Sequence, residues 1–179
     1  MVDMIMADTV EERKKHLDRL LPLQRQDFVD ILTAMSPLPV TIRLLDPPLH
    51  EFLPSLEVIL REIYEMKLKG ESAEKIAPKE RVLRKVKELM EVNPMIGHRG
   101  IRLGITHPEI YEMQMRAVLE AGADLHKRGV PTAIELMLPN LTDVNELIYM
   151  KEKVVDPLVA AIEKETGVKV PFMYGTMVE

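Results

Sequence analysis

The chain has 179 residues, and its 24 Lys and Arg against 29 Asp and Glu leave a net charge of −5 at pH 7. This acidic balance argues against a nucleic-acid binder, and 179 residues of 46% hydrophobic composition are typical of one globular domain or a piece of one. The lack of cysteine excludes a disulfide scaffold, a thiolate zinc site and a cysteine nucleophile within these residues.

Signals for membrane insertion and export are missing from the sequence. No apolar run approaches the roughly 20 residues that span a bilayer. The first residues, MVDMIMADTVEERKK, lack the cationic segment that precedes the apolar core of a signal peptide. We therefore expect a cytosolic protein with no membrane partner.

The first part of the chain predicts two helices and a strand. The pattern T-V-E-E from Thr9 to Glu12 is a capping box that begins a helix. Pro22 is expected to interrupt this helix, and apolar residues at helical spacing predict a second helix after it. The run PLPVTIRLLDPP then predicts a buried strand over about 39–45.

The middle of the chain is highly charged and predicts a helical insertion over about 55–91. One helix covers 55–69 and ends at Gly70, and another covers about 79–91 with Pro78 at its start. The next segment, NPMIGHRGIRLG, is punctuated by glycines and is expected to be an irregular loop.

The last part predicts a helix, a strand, a helix and a strand in turn. Thr106 and Glu109 form a second capping box, which begins a helix that runs to Gly129. The elements after it are a strand over about 132–138, a helix from Thr142 to Gly167 and a final strand in VKVPFMYGTMVE.

The predicted strands are continuously apolar rather than alternating, which is typical of a parallel sheet covered on both faces. Two architectures fit this pattern. The sheet belongs either to a small three-layer sandwich, with the last strand at its edge, or to a segment of a larger barrel.

Three residues are candidates for anion or metal binding. Arg43 lies inside an apolar strand and needs a negative partner, which is either Asp46 or the phosphate or carboxylate of a ligand. Arg99 lies between glycines in GHRG and is either an ordinary turn arginine or a planar fork for an oxyanion. Glu179 follows an apolar strand and is either a solvated residue or an oxygen ligand for Mg²⁺.

Three further polar residues lie near these candidates or in the strands. His98 is a lone histidine, and such a residue is more often structural than catalytic. Arg102 either adds positive charge to the site or caps a helix. Glu135 is embedded in a strand, where we expect it to face the interior of the barrel if the sheet belongs to one, and to pair with a basic group in a structural role.

Three segments together resemble the pyruvate, phosphate dikinase family: TIRLLDPPLHEFLP (41–54), NPMIGHRGIRLGITHPEIYEMQMRAV (93–118) and YGTMVE (174–179). The similarity covers nearly the whole chain. It implies that residues 1–179 are a single segment of that family's C-terminal (β/α)8 barrel, which binds phosphoenolpyruvate and pyruvate. The insertion over about 55–91 diverges most.

By this resemblance Arg43 and Arg99 bind the phosphate of phosphoenolpyruvate, and Glu179 contacts the substrate and ligates Mg²⁺. The implied reaction transfers a phosphoryl group between pyruvate and a phosphohistidine on a swivelling domain of the same polypeptide. Its net result interconverts ATP, phosphate and pyruvate with AMP, diphosphate and phosphoenolpyruvate.

The family's acid/base residue is a cysteine expected beyond residue 179, so we expect no catalytic residue in this chain and no activity from it alone. Open barrel edges predict association, and the family tends to form homodimers. Two alternatives remain. One is a segment of a phosphoenolpyruvate synthase-like enzyme, which LDPPLHEFLP disfavours, and the other is a non-catalytic barrel remnant that serves as a binding or interaction module.

Overall fold

In the computed structural model of the protein, residues 1–90, 93 and 97–178 are described, and they form a mixed α/β fold. The helices are α1 (Val2–Met6), α2 (Val10–Met35), α3 (Leu56–Leu68), α4 (Ala73–Leu89), α5 (Ile101–Thr106), α6 (Pro108–Lys127), α7 (Val144–Met150) and α8 (Asp156–Thr166). The strands are β1 (Pro39–Arg43), β2 (Ala133–Leu141) and β3 (Phe172–Val178). A 3₁₀ turn covers Leu49–Phe52, and a π-helical segment, Lys151–Val155, joins α7 to α8.

The strands form a parallel sheet, as the sequence predicted, and their order in it is β1-β2-β3. Ile42 lies opposite Leu136, and Leu136 lies opposite Tyr174. Because the strands run in parallel, their carboxyl ends meet at one edge of the sheet, which we call the carboxyl edge. This edge holds Arg43 at the end of β1.

The prediction that both faces of the sheet are covered is wrong for the described residues. Ile42 and Leu136 are buried on the face against the helices, whereas Thr41, Arg43 and Met173 on the other face are not. No helix in the described part of the chain covers that second face. A parallel sheet with helices on one face is consistent with part of a barrel.

Two prolines lie inside helices rather than at their boundaries. Pro22 is within α2 and Pro78 is within α4, so the predicted interruption at Pro22 and the predicted start at Pro78 are wrong. Both prolines are exposed, so solvent can hydrate the backbone carbonyls that lose their helical hydrogen bonds. The packing of α2 along α6, and of α4 against α3, keeps each helix continuous.

The glycine-punctuated segment contains helix α5, although the sequence predicted an irregular loop there. This helix also overturns the predicted cap at Thr106. The Thr106 hydroxyl donates to the carbonyls of Arg102 and Leu103, and α6 begins at Pro108. Thr106 is therefore the last residue of a helix, and its T-x-x-E pattern is not used as a capping box.

Other predicted helix starts and the predicted insertion are present with small changes. Thr9 Oγ1 accepts from the Glu12 backbone N–H at 3.2 Å, which confirms the start of α2. The helix predicted from Thr142 begins at Val144 behind the capping box of Asp143 and Glu146. It then passes through the π-helical segment just before Pro157, which has no N–H to donate to the preceding helical turn. The helices α3 and α4 form the predicted helical insertion.

Helix α1 was not predicted, and its Met4 and Ile5 are buried in the core. Among the described helices, none combines the length and the apolar composition needed to cross a membrane.

Candidate functional site

Two arginines and one aspartate meet at the carboxyl edge. The Arg43 guanidinium forms an ion pair with the carboxylate of Asp46, three residues further along the chain. Arg99 comes from the loop before α5, and its Nη2 lies 2.6 Å from Asp46 Oδ2. The structure therefore brings together both arginines that the sequence singled out, and one carboxylate joins them.

Asp46 is 4% exposed, and a carboxylate this deeply buried requires charged or hydrogen-bonding partners. Two guanidiniums around a single carboxylate leave one net positive charge at the site. The Arg43 side chain is 46% exposed, so part of its N–H donor set faces solvent. This arrangement is suited to binding an anion.

The backbone also ties the Arg99 loop to Asp46. The Asp46 carbonyl accepts from Arg99 Nε at 3.1 Å and from the Gly100 N–H at 3.3 Å. Gly100 has φ +56°, and a Cβ atom there would lie 2.7 Å from Asn140 Cβ. Glycine is required at this position because the loop passes so close to the end of β2.

Helix α6 holds the backbone beside Asp46 through two side chains that were not singled out from the sequence. Gln114 Oε1 accepts from the Leu45 N–H at 2.9 Å, and the Tyr111 hydroxyl donates to the Leu45 carbonyl at 2.7 Å. Burial raises the pKa of Tyr111, so its hydroxyl stays protonated and remains a donor. Gln114 lies four residues from the buried Ile110 and four from the buried Val118, and a polar residue on such an apolar helical face indicates a specific partner.

A second cluster lies behind the Arg99 loop, at the start of α6. His98 Nε2 lies 2.6 Å from Thr106 Oγ1, and the rings of His98 and His107 are 5.8 Å apart. Arg13 of α2 binds Glu109 at 2.5 Å and lies 3.3 Å from His107 Nδ1. These contacts support the structural role expected for His98.

Two contacts of Arg102 tie neighbouring segments of the site together, and the choice between the two interpretations from the sequence stays open. Its Nη1 donates to the Gly97 carbonyl at 2.8 Å, and its Nε lies 3.6 Å from Glu146 Oε1. Arg102 thus connects the Arg99 loop to the start of α7.

His107 predicts a pH dependence of stability. Burial, with a contribution from Arg13, lowers its pKa below 6.5. The folded state then prefers the neutral ring, so this contribution to stability is present above pH 6.5 and is lost as the pH falls through the folded-state pKa. We expect urea unfolding to show a smaller loss of stability between about pH 8 and about pH 5 in His107→Gln than in the unchanged chain.

The matched control for this measurement is His126→Gln, because His126 is an exposed histidine on the same helix. It should leave the pH dependence as it is. Equal pH dependence in the unchanged chain and in His107→Gln would contradict the assignment.

Among the described residues, Glu135 has no basic partner of the kind that was predicted. Within the described residues, its carboxylate accepts a hydrogen bond from the Thr41 hydroxyl, and the two residues are opposite each other on β2 and β1. A hydrogen bond from a neighbouring hydroxyl is enough to satisfy this carboxylate, because Glu135 is only partly buried and lies on the sheet face that no described helix covers. Its structural interpretation stands.

Glu179, the predicted Mg²⁺ ligand, lies outside the described residues. Within the described residues no three His, Asp or Glu side chains form a cluster that holds a metal ion. Among the described residues, Asp46 is a carboxylate at this edge, and it is already bound to two cationic side chains, which oppose the binding of a metal. The described residues alone do not fit Mg²⁺.

Comparison with known proteins identifies the class. The family described as PEP-utilising enzyme, PEP-binding domain, matches residues 3–179, and the chain belongs to this family. The chain is 64% identical to the pyruvate, phosphate dikinase of Entamoeba histolytica over 178 residues, which is 99% of this chain and 20% of that protein.

Two further relatives agree. The chain is 47% identical over 179 residues to the chloroplastic pyruvate, phosphate dikinase 1 of Arabidopsis thaliana, covering 98% of this chain and 18% of that protein. It is 44% identical over 180 residues to the pyruvate, phosphate dikinase of Giardia intestinalis, covering 100% of this chain and 19% of that protein. The resemblance found in the sequence is confirmed.

The chain spans about a fifth of the length of these relatives. Their shared name is that of a phosphotransferase, and this chain corresponds to its PEP-binding domain. One relative is named chloroplastic, so the expected cytosolic location stays a prediction.

Proposed function

We propose that this chain forms part of the phosphoenolpyruvate and pyruvate site of a pyruvate, phosphate dikinase, within a (β/α)8 barrel. The observation that supports this most strongly is the convergence of Arg43 and Arg99 on Asp46 at the carboxyl edge. Barrel enzymes bind substrates at this edge. The family match over residues 3–179 supports the same substrate.

The chemistry that this site serves is phosphoryl transfer to the enolate oxygen of pyruvate. A phosphorus–nitrogen bond of phosphohistidine breaks and a phosphorus–oxygen bond forms, while a proton leaves the methyl carbon of pyruvate. Arg43 and Arg99 bind the phosphoryl oxygens and neutralise the charge that spreads over them during transfer. Asp46 keeps the two guanidiniums in one place.

The remaining groups come from elsewhere. The phosphohistidine domain and the acid/base cysteine belong to other parts of the parent polypeptide. Mg²⁺ is the proposed cofactor, with Glu179 as one ligand and further ligands outside this chain, and it supplies charge neutralisation when bound. The isolated chain is therefore proposed to be inactive.

Calorimetric titration with phosphoenolpyruvate in the presence of Mg²⁺ tests this function. In the full-length gene product we expect binding, and we expect Arg43→Lys and Arg99→Lys each to weaken it by about tenfold or more. Lysine keeps the charge but loses the planar pair of donors.

Arg128→Lys is the matched control, because Arg128 is an exposed arginine whose partner is Asp124. It should bind as the unchanged protein does. Phosphoenolpyruvate binding that is unaffected by both site substitutions would refute the proposed site. Tight binding by the 179-residue chain alone, lost in Arg43→Ala, would instead support a competent binding module.

We also propose that the isolated chain associates through its sheet edges. In the described sheet, β1 and β3 each pair on one side only. Exposed apolar side chains such as Tyr64, Leu68 and Val178 add to this tendency. Light scattering at increasing concentration should show dimers or larger species, and a monodisperse monomer would contradict the expectation.

A further inference from the structure

We propose that Gln114 is a positioning residue for phosphoenolpyruvate binding, acting through the backbone of Leu45 on Asp46 and the two arginines. This inference rests on the proposed function of the site. Gln114 belongs to α6, and neither arginine is on that helix. It contacts the backbone of Leu45 next to Asp46, so its influence on the substrate is inferred to be indirect.

The short segment that joins Arg43 to Asp46 leaves the sheet one residue before the aspartate. After β1 ends, the Leu44 N–H still donates to the Met137 carbonyl of β2 at 3.1 Å. The next N–H, that of Leu45, instead donates to Gln114 Oε1 at 2.9 Å. Gln114 thus supplies the hydrogen-bond acceptor for the first backbone N–H after the chain leaves the sheet.

The direction of the Leu45 peptide decides where Asp46 points. Tyr111 holds the other side of Leu45 by donating to its carbonyl at 2.7 Å. The Tyr111 ring is fully buried and packs directly on Gly104, where an added Cβ atom would lie 2.7 Å from the ring. With both polar groups of Leu45 bound to α6, the Asp46 carboxylate is oriented to bind both guanidiniums.

Removal of the Gln114 acceptor breaks one of the two hydrogen bonds that hold Leu45, and it leaves both arginines unchanged. The arginines would keep their charge but lose the shared orientation that a phosphate requires. A substrate binds less well to a site that must first be ordered. The expected effect on the reaction is therefore mainly a loss of substrate affinity.

The test uses the full-length gene product and the exchange of label between pyruvate and phosphoenolpyruvate with Mg²⁺ present. Gln114→Leu should lower kcat/KM for phosphoenolpyruvate by about tenfold, mainly through KM. Gln114→Glu keeps an oxygen acceptor and should stay within about threefold of the unchanged protein. Gln26→Leu, which removes an exposed glutamine of α2, is the matched control and should have no effect.

A double-substitution cycle separates positioning from a general structural role. If Gln114 acts through Asp46, Gln114→Leu should lose most of its effect when Asp46→Asn is already present. A purely structural role would give the same loss in both backgrounds and would overturn the inference. Tyr111→Phe is a second, independent variant, and it should lower kcat/KM in the same direction because it removes the other restraint on Leu45.

The remaining outcomes are also decisive. If the unchanged full-length protein exchanges label and both Gln114→Leu and Tyr111→Phe exchange it equally well, this inference alone is wrong. If the unchanged protein shows no exchange, the proposed function fails, and the inference fails with it.

Discussion

Replacement of Asp46 by asparagine is expected to reduce label exchange between pyruvate and phosphoenolpyruvate by on the order of 100-fold in the full-length gene product. The substitution removes the charge that holds Arg43 and Arg99 together at the carboxyl edge. Two guanidiniums without their carboxylate repel each other and lose their shared orientation. The site keeps its donors but loses the geometry needed to bind a phosphoryl group.

Asp124→Asn is the matched control, since Asp124 forms an ion pair with Arg128 on an exposed surface of α6. Exposed pairs of this kind contribute little, so exchange should be unchanged. If Asp46→Asn exchanged label at the rate of the control, Asp46 would be a structural residue, and the two arginines would not depend on it.

The second large effect is expected at Gly100, beside Arg99. In Gly100→Ala, φ of +56° is strained for a residue with a side chain, and the new Cβ would lie 2.7 Å from Asn140 Cβ and 2.9 Å from the Pro139 carbonyl oxygen. Strain and crowding together should lower the unfolding free energy by about 3 kcal/mol or more. Urea unfolding at low protein concentration measures this loss.

Gly129→Ala separates the two contributions. Gly129 has φ of +71°, but among the described residues, its two chain neighbours aside, none has an atom within 4 Å of the position that a Cβ would occupy, so it carries the backbone strain without the crowding. Its cost should be about 1–2 kcal/mol. Equal costs at Gly100 and Gly129 would show that the close approach to the end of β2 contributes nothing.

The sheet was predictable from local pattern. Apolar runs at 39–45, 132–138 and the last residues correspond to three parallel strands, and the helices between them supply the long crossovers that parallel strands need. The pairing of Arg43 with Asp46 was one of the two partners considered for Arg43 from the sequence. It could be considered because Asp46 lies only three residues further along the chain.

Contacts between distant parts of the chain were not predictable. Arg99 is 53 residues from Asp46, and nothing in GHRG indicates which carboxylate it meets. Gln114 and Leu45 are 69 residues apart, although a polar residue on an apolar helical stripe does signal a buried partner. Pro22 misled the prediction because local propensity stops a helix there, while the packing of α2 along α6 continues it.

The Thr106 prediction failed for a different reason. A T-x-x-E pattern describes a helix start only if the residues before it are not helical. Here α5 already occupies them, so the hydroxyl bonds backwards to Arg102 and Leu103. The site itself was unaffected by this error, because α5 still carries the Arg99 loop into position.

The most direct test of the proposed site is a crystal structure of the full-length gene product with phosphoenolpyruvate and Mg²⁺. We expect the phosphate of phosphoenolpyruvate within hydrogen-bond distance of both Arg43 and Arg99, with Asp46 still bound to the two guanidiniums. A phosphate bound elsewhere, with these three side chains paired only to one another, would contradict the proposal.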